Sequence, residues 1–177
     1  MQNHVQSMAL FRVVASAAVV LLGAIAFLNI FWLEPQQTIH PDLRLAYGGL
    51  GGGQIAFFVG LAALWLALNL LFVRIGARVL AAAGKTAPEV ARWDLANAAT
   101  LILGLAAAGT MYTDFAVGFG MYSAVEAESW APPGGSANAL TLALWYGGLA
   151  VLAAAATSIA TRTAVVRWRH RKAPAPG

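Results

Sequence analysis

Histidine, cysteine and acidic residues, the types that most often bind metal ions or perform catalysis, are scarce in this sequence. The chain has no cysteine, which excludes disulfides, thiolate metal sites, iron–sulfur clusters and a cysteine nucleophile. Its three histidines, His4, His40 and His170, lie outside the long apolar segments, so no two of them can bind a haem within a membrane core. We therefore predict no catalytic residue, no cofactor and no metal site.

A metal centre outside the membrane is the alternative to that prediction. It would combine His40 with nearby carboxylates, because imidazole and carboxylate groups together bind divalent metals. A solvated acidic loop is the simpler interpretation, and we favour it. The acidic residues concerned are Glu34, Asp42, Glu126 and Glu128.

A ligand-binding or interhelical polar site is predicted near one end of the apolar segments. Arg44 opens the second apolar segment, and Asp114 lies near the corresponding end of the third. We expect Arg44 to form an ion pair with Asp114, Asp42 or Glu34, and recognition of an anionic ligand group is the alternative. An acid–base pair of Asp114 with Glu126 or Glu128 is a further alternative.

Tyr47, Tyr112 and Gln54 complete this candidate site. Gln54 lies nine residues after Leu45, so at about 1.5 Å per residue we place it near the middle of the bilayer. An amide at that depth ties helices together by hydrogen bonds or, alternatively, lines a pathway or ligand pocket. Shallower amides with the same two interpretations are Asn29, Asn69 and Asn97.

A glycine-rich run follows Tyr47. It lacks the preceding strand and the Gly-Lys-Ser/Thr of a nucleotide-binding loop, so it is not a phosphate site. Glycines in a membrane helix let a neighbouring helix or a flat ligand approach the backbone, and they also permit a kink or an unwound turn. We predict close helix packing at Gly48, Gly49, Gly51, Gly52 and Gly53.

The elements that position these residues are membrane helices. The 177 residues are 60% hydrophobic and 10% charged, which excludes a water-soluble domain. Four apolar segments, at 9–33, 45–73, 95–117 and 139–166, are each long enough to cross a bilayer. We predict a single all-α domain, a four-helix up-down bundle, with a capping box at Thr86–Glu89 and an N-cap at Asn138 or Ser136.

The basic residues give the orientation. All of them except Arg44 fall on the side of the two termini, so both termini are predicted to be cytoplasmic in a multi-pass protein of a bacterial inner membrane. The basic tail, residues 167–177, is expected to contact lipid head groups rather than nucleic acid. The contacting residues are Arg167, Arg169, Arg171 and Lys172.

The run Asp42-Leu43-Arg44-Leu45-Ala46-Tyr47-Gly48-Gly49-Leu50 resembles the start of the second helix in small DoxX-like bacterial membrane proteins. The resemblance covers the first two helices. It implies a four-helix bundle with Arg44, Tyr47, Gly48 and Gly49 at an outward-facing site, and it implies no particular activity. The second half departs from the pattern, because Asp114 lies where the family would have an arginine.

The function predicted from these features is that of a non-catalytic accessory or assembly subunit. Runs of small residues at 104–109 and 147–156 exceed what four helices can bury, so we expect contact with other membrane subunits or with a second copy. A small transporter or ligand-binding membrane protein is the first alternative. A quinone-interacting or redox protein is the second.

Overall fold

A computed structural model describes residues 2–83, 90–127 and 138–172. These residues are almost entirely helical and include no strand, which confirms the all-α prediction for this part of the chain. The predicted capping box and Ser136 lie outside the described residues. The helices are α1 (Gln2–Leu28), a π-helix (Asn29–Leu33), α2 (Glu34–Thr38), α3 (Leu43–Gly48), α4 (Gly52–Ala83), α5 (Val90–Ala127) and α6 (Ala139–Lys172).

Within the described ranges, four segments are long and apolar enough to cross a membrane, which is the number predicted. Only 17–33% of each span is buried inside the chain, so most of the apolar surface must face lipid or another polypeptide. The segments are Met8–Thr38, Gly52–Ala82, Asp94–Met121 and Ala139–Val165.

The second span begins later than the sequence suggested. The predicted segment 45–73 is divided into α3 and α4, with the break at residues 49–51. Asp42 caps α3, because its carboxylate accepts the backbone N–H of Arg44 at 2.9 Å. Glycines at the break remove the side chains that would favour continuing one helix through it.

Helices α1, α4 and α5 pack against one another, and their core is centred on Trp65. Its ring meets the ring of Phe27 edge-on at a centroid distance of 5.1 Å, and its indole N–H donates to the Ala106 carbonyl at 3.1 Å. A Cβ at Gly23 would lie 2.8 Å from the indole, and one at Gly109 would lie 3.3 Å from it. Glycine at these two positions makes room for the largest side chain of the core.

Helix α6 packs along α5 and reaches the first span at the π-helix. A Cβ at Gly148 would lie 2.5 Å from the Ala108 nitrogen, and one at Gly104 would lie 2.9 Å from Leu152 Cγ. The runs of small residues on α5 and α6 are therefore partly used against each other.

The glycine run after Tyr47 does not make such contacts within the chain. A Cβ at Gly48, Gly52 or Gly53 would meet no atom within 4 Å, and one at Gly51 would meet only the Gln54 side chain at 3.8 Å. The run coincides with the break between α3 and α4, which corresponds to the unwound turn considered above.

The four long helices alternate in direction. Arg12, near the start of α1, lines the same cleft as Arg74, near the end of α4. Arg162, near the end of α6, forms an ion pair with Asp94, near the start of α5. Both termini of the described chain therefore lie at one end of the molecule, here called the basic end, and the opposite end is called the acidic end.

Candidate functional site

The five residues of the predicted polar site do not come together. Arg44 and Gln54 are exposed, Tyr112 is 76% exposed, and Asp114 is 8% exposed. Tyr112 and Asp114 are two residues apart on α5 and so point in different directions. Tyr47 is half-buried. Of the five, Tyr47 makes a hydrogen bond to the first span, and Asp114 is buried beside Glu34.

Arg44 does not form the expected ion pair. Within the described ranges its side chain makes no ion pair with Asp42, Glu34 or Asp114, and the ion pair that does form joins Arg162 to Asp94 at the other end. What Asp42 provides is a helix cap for the backbone of Arg44.

Gln54 lies in the first turn of α4, at one end of the second candidate span, and not nine residues inside a continuous helix. Because α4 begins at Gly52, Gln54 belongs to its first turn, where its Oε1 accepts the Gly51 N–H at 2.9 Å. This is one half of a capping box, since a side chain of the first turn accepts the N–H of the capping residue. The placement near the bilayer middle assumed one continuous helix from Leu45.

Polar side chains from the π-helix, α2, α5 and the start of α6 instead meet at the acidic end, in a group we call the clasp. The Asn29 amide donates to the Thr141 hydroxyl at 2.8 Å, and that hydroxyl donates to Glu34 Oε2 at 2.6 Å. Asn138 donates to Asn29 Oδ1 at 2.7 Å from its side chain and to Glu34 Oε1 at 3.2 Å from its backbone. Its members are Asn29, Glu34, Asp114, Asn138 and Thr141.

Local backbone structure aligns the clasp residues of the first span. In an ordinary α-helix, side chains five residues apart diverge, whereas a π-helical turn returns to nearly the same face after five. Here the Glu34 N–H bonds to the Asn29 carbonyl, so the two side chains lie one above the other. Asn138 confirms the predicted N-cap of α6, because its Oδ1 accepts the Thr141 N–H at 2.9 Å.

Tyr47 connects α3 to the π-helix of the first span. Pro35 has no N–H to offer the Phe31 carbonyl one turn earlier, and the Tyr47 hydroxyl donates to that carbonyl at 2.6 Å. Burial raises the pKa of the Tyr47 phenol from 10.0 to about 12. Tyr47 thus acts as an interhelical tie, one of the two roles predicted for it.

Asp114 joins the clasp from α5. Asp114 is 8% exposed, and its carboxyl group lies close to that of Glu34. The acid pair predicted for Asp114 involved Glu126 or Glu128, whose side chains lie outside the described residues.

The buried polar groups of the clasp form hydrogen bonds with one another. Asn29 is fully buried and Thr141 is 1% exposed, and each bonds to other members. No group of three or more histidine or acidic side chains suited to a metal occurs within residues 2–83, 90–127 and 138–172.

The sequence indicated one member of the clasp, since Asn29 is one of the shallow amides named above. Its partner Thr141 carried no signal, because a threonine in an alanine-rich helix start is unremarkable. The arrangement serves to tie helices together.

No family model, curated protein or solved structure matches the chain.

Proposed function

We propose that this protein is a non-catalytic accessory or assembly subunit of a larger membrane complex, and that it holds a transmembrane helix of another polypeptide in a groove between α1 and α6. The observation that carries the proposal is the groove itself. It is apolar, has a volume of about 380 Å³, and runs over α5. It is lined by α1 through Leu21 and Ile25 and by α6 through Gly147 and Val151.

The groove exists because α6 packs along α5 and not along α1. Leu21 and Ile25 are 63% and 43% exposed on one wall, and Gly147 is open on the other. In lipid, helices associate through van der Waals contact and close backbone approach, which small residues permit. A helix seated here would contact three helices at once.

The clasp supports the same function. It ties the π-helix that follows α1 to the start of α6 through Asn29 and Thr141, so the two walls are held at a fixed separation at the acidic end. A preformed groove lowers the ordering cost of binding a partner.

Filling the groove tests the proposal. Gly147→Leu places a large side chain in the groove, and a Cβ at this position meets nothing within 4 Å. Gly60→Leu is the matched control. A Cβ at Gly60 also meets nothing within 4 Å, and Gly60 lies outside the groove. A photo-crosslinking residue at Leu21 reports the neighbour in native membranes. We expect one defined polypeptide to be crosslinked, with the product lost in Gly147→Leu and kept in Gly60→Leu.

Two other results would count against this function. A crosslink to a second copy of the chain would replace the foreign partner by a homo-oligomer. A crosslink to lipid alone, unchanged by Gly147→Leu, would mean that the groove is simply a lipid-facing surface.

The buried Asp114 carboxyl beside Glu34 favours one second candidate, a small transporter or ligand-binding membrane protein whose conformation follows protonation. Its test is the distance between spin labels at Thr38 and Leu142 as pH changes, in wild type and in Asp114→Asn. A pH-dependent distance in wild type alone would support this candidate.

We further infer the location from charge. Arg12, Arg74, Arg78 and Arg162 lie at the basic end, while Glu34 and Asp114 lie at the acidic end. This asymmetry supports cytoplasmic termini in a bacterial inner membrane, since cytoplasmic ends keep lysine and arginine.

Membership of the DoxX-like proteins is proposed on the residues around Arg44 and Tyr47.

A further inference from the structure

We propose that a cleft between α1 and α4 at the basic end binds the phosphate-bearing head group of an anionic phospholipid through Arg12, Arg74 and Arg78. The inference does not depend on the proposed groove for a partner helix, which lies on another side of α1.

The geometry is that of two adjoining cavities built around the same two arginines. One, of about 340 Å³, is lined by Met8, Arg12, Arg74 and Arg78. The other, of the same volume, is lined by Arg12, Val13 and Arg74. Arg12 and Arg74 therefore lie between two spaces, each large enough for part of a lipid.

The charges in the cleft are not balanced by the protein. In the part of the chain that the structure describes, none of the three guanidinium groups forms an ion pair, and the ion pair at this end belongs to Arg162 and Asp94. Like charges that face one cleft repel each other, and a phosphate between them removes that repulsion and accepts several charge-assisted hydrogen bonds.

The depth of the arginines suits a lipid head group. At about 1.5 Å per residue, Arg12 lies about 6 Å inside the start of the first span, and Arg74 lies about 12 Å inside the end of the second. Arginine side chains at such depths extend towards the interface, where lipid phosphates lie. Basic pockets between membrane helices are a known form of acidic-lipid site.

The remaining lining suits acyl chains. Ala9, Val13 and Val73 line the second cavity, and Ala77 and Ala81 line the first. A lipid whose phosphate meets the arginines would lay its chains on these small apolar side chains. This amphipathic lining distinguishes the cleft from a site for free phosphate.

Lipid binding to the purified full-length protein in mild detergent, measured by native mass spectrometry, tests the proposal. The probes are phosphatidylglycerol and phosphatidylcholine with identical acyl chains. We expect a bound phosphatidylglycerol that phosphatidylcholine does not replace. Equal binding of the two lipids by the wild-type protein would overturn the proposal without any variant.

The variants locate the site. At about fivefold in dissociation constant for each basic residue lost, Arg74→Gln should weaken phosphatidylglycerol binding about fivefold, and Arg12→Gln with Arg74→Gln about 25-fold. Arg44→Gln removes the same charge from an exposed position at the acidic end and should leave the constant within about twofold. Equal weakening by Arg44→Gln would show a diffuse charge effect and overturn the assignment to this cleft.

A competition experiment distinguishes a bound lipid from free phosphate. Excess inorganic phosphate should not displace the bound phosphatidylglycerol, because it gains nothing from the apolar lining. Full displacement would overturn the lipid as the occupant. If the double variant does not fold, Arg12→Lys with Arg74→Lys keeps the charge, and its phosphatidylglycerol binding should fall between wild type and Arg74→Gln because lysine lacks the fork of donors.

Discussion

The contact between α5 and α6 can be tested by adding a single methyl group. A Cβ at Gly148 would lie 2.5 Å from the Ala108 nitrogen and 3.0 Å from the carbonyl carbon of Ala107. These distances are about 0.5 to 1 Å shorter than a normal contact of about 3.5 Å. The near atoms belong to backbone, so they cannot turn aside as a side chain would. Gly148→Ala must therefore push α6 away from α5.

The neighbouring residue is a matched control. A Cβ at Gly147 would meet nothing within 4 Å, and both glycines lie in the same helix. Each change to alanine gains about 0.5–1 kcal/mol of helix propensity, and this gain cancels when the two variants are compared. What is left is the overpacking at Gly148, about 1–3 kcal/mol.

The assay is reversible unfolding in mixed detergent micelles by added SDS, followed by circular dichroism. We expect Gly148→Ala to have a free energy of unfolding about 1–3 kcal/mol below that of Gly147→Ala. Equal stabilities of the two variants would refute the close packing of α5 and α6. A loss for Gly147→Ala alone would mean that the face of α6 has been assigned the wrong way round.

The remaining predictions concern the clasp, Tyr47 and the orientation. Thr141→Val removes a buried hydroxyl that both accepts and donates a hydrogen bond, and it should lower the free energy of unfolding by about 1–3 kcal/mol. Thr157→Val, at an exposed position, is the control and should lower it by less than about 0.5 kcal/mol. Equal losses in the two variants would contradict the clasp. The pKa of the Tyr47 phenol is raised to about 12, so this phenol should ionise above pH 10. The measurement is an ultraviolet titration, in which the absorbance of Tyr47→Phe is subtracted from that of the wild type. Because the fold favours the neutral phenol, its contribution to stability is complete below pH 10 and is lost as pH rises through 12; ionisation of this phenol near pH 10 would show that it is solvated. In the cysteine-free chain, Ser136→Cys should react with a membrane-impermeant thiol reagent in intact cells and Ala173→Cys should not, and the opposite pattern would reverse the orientation.

Helix number and approximate spans were predictable because they depend on local composition. A run of about twenty apolar residues has few stable states in a bilayer other than a helix, whatever its neighbours are. The cap at Asn138 was predictable for a related reason, since its side chain bonds to a backbone group three residues away. In both cases the physical cause lies within one segment of the chain.

The placement of Gln54 shows where such local reasoning ends. Its predicted depth rested on a helix that starts at Leu45, whereas the helix starts at Gly52 and leaves Gln54 to cap it. The sequence showed the glycines and suggested an unwound turn as one alternative. Whether glycines pack closely or interrupt a helix depends on which helix lies beside them, and this is a tertiary property.

By itself, the sequence determined that this is an all-α protein with four spans able to cross a membrane, and that all its basic residues but one fall on one side. Only the tertiary structure decided that Asn29, Glu34 and Thr141 meet, since Thr141 is 112 residues from Asn29 and a π-helical turn is needed to align Asn29 with Glu34. The physical reason is that hydropathy and helix capping act over one or two helical turns. Contacts between helices depend on shape across the whole molecule, which no single segment specifies.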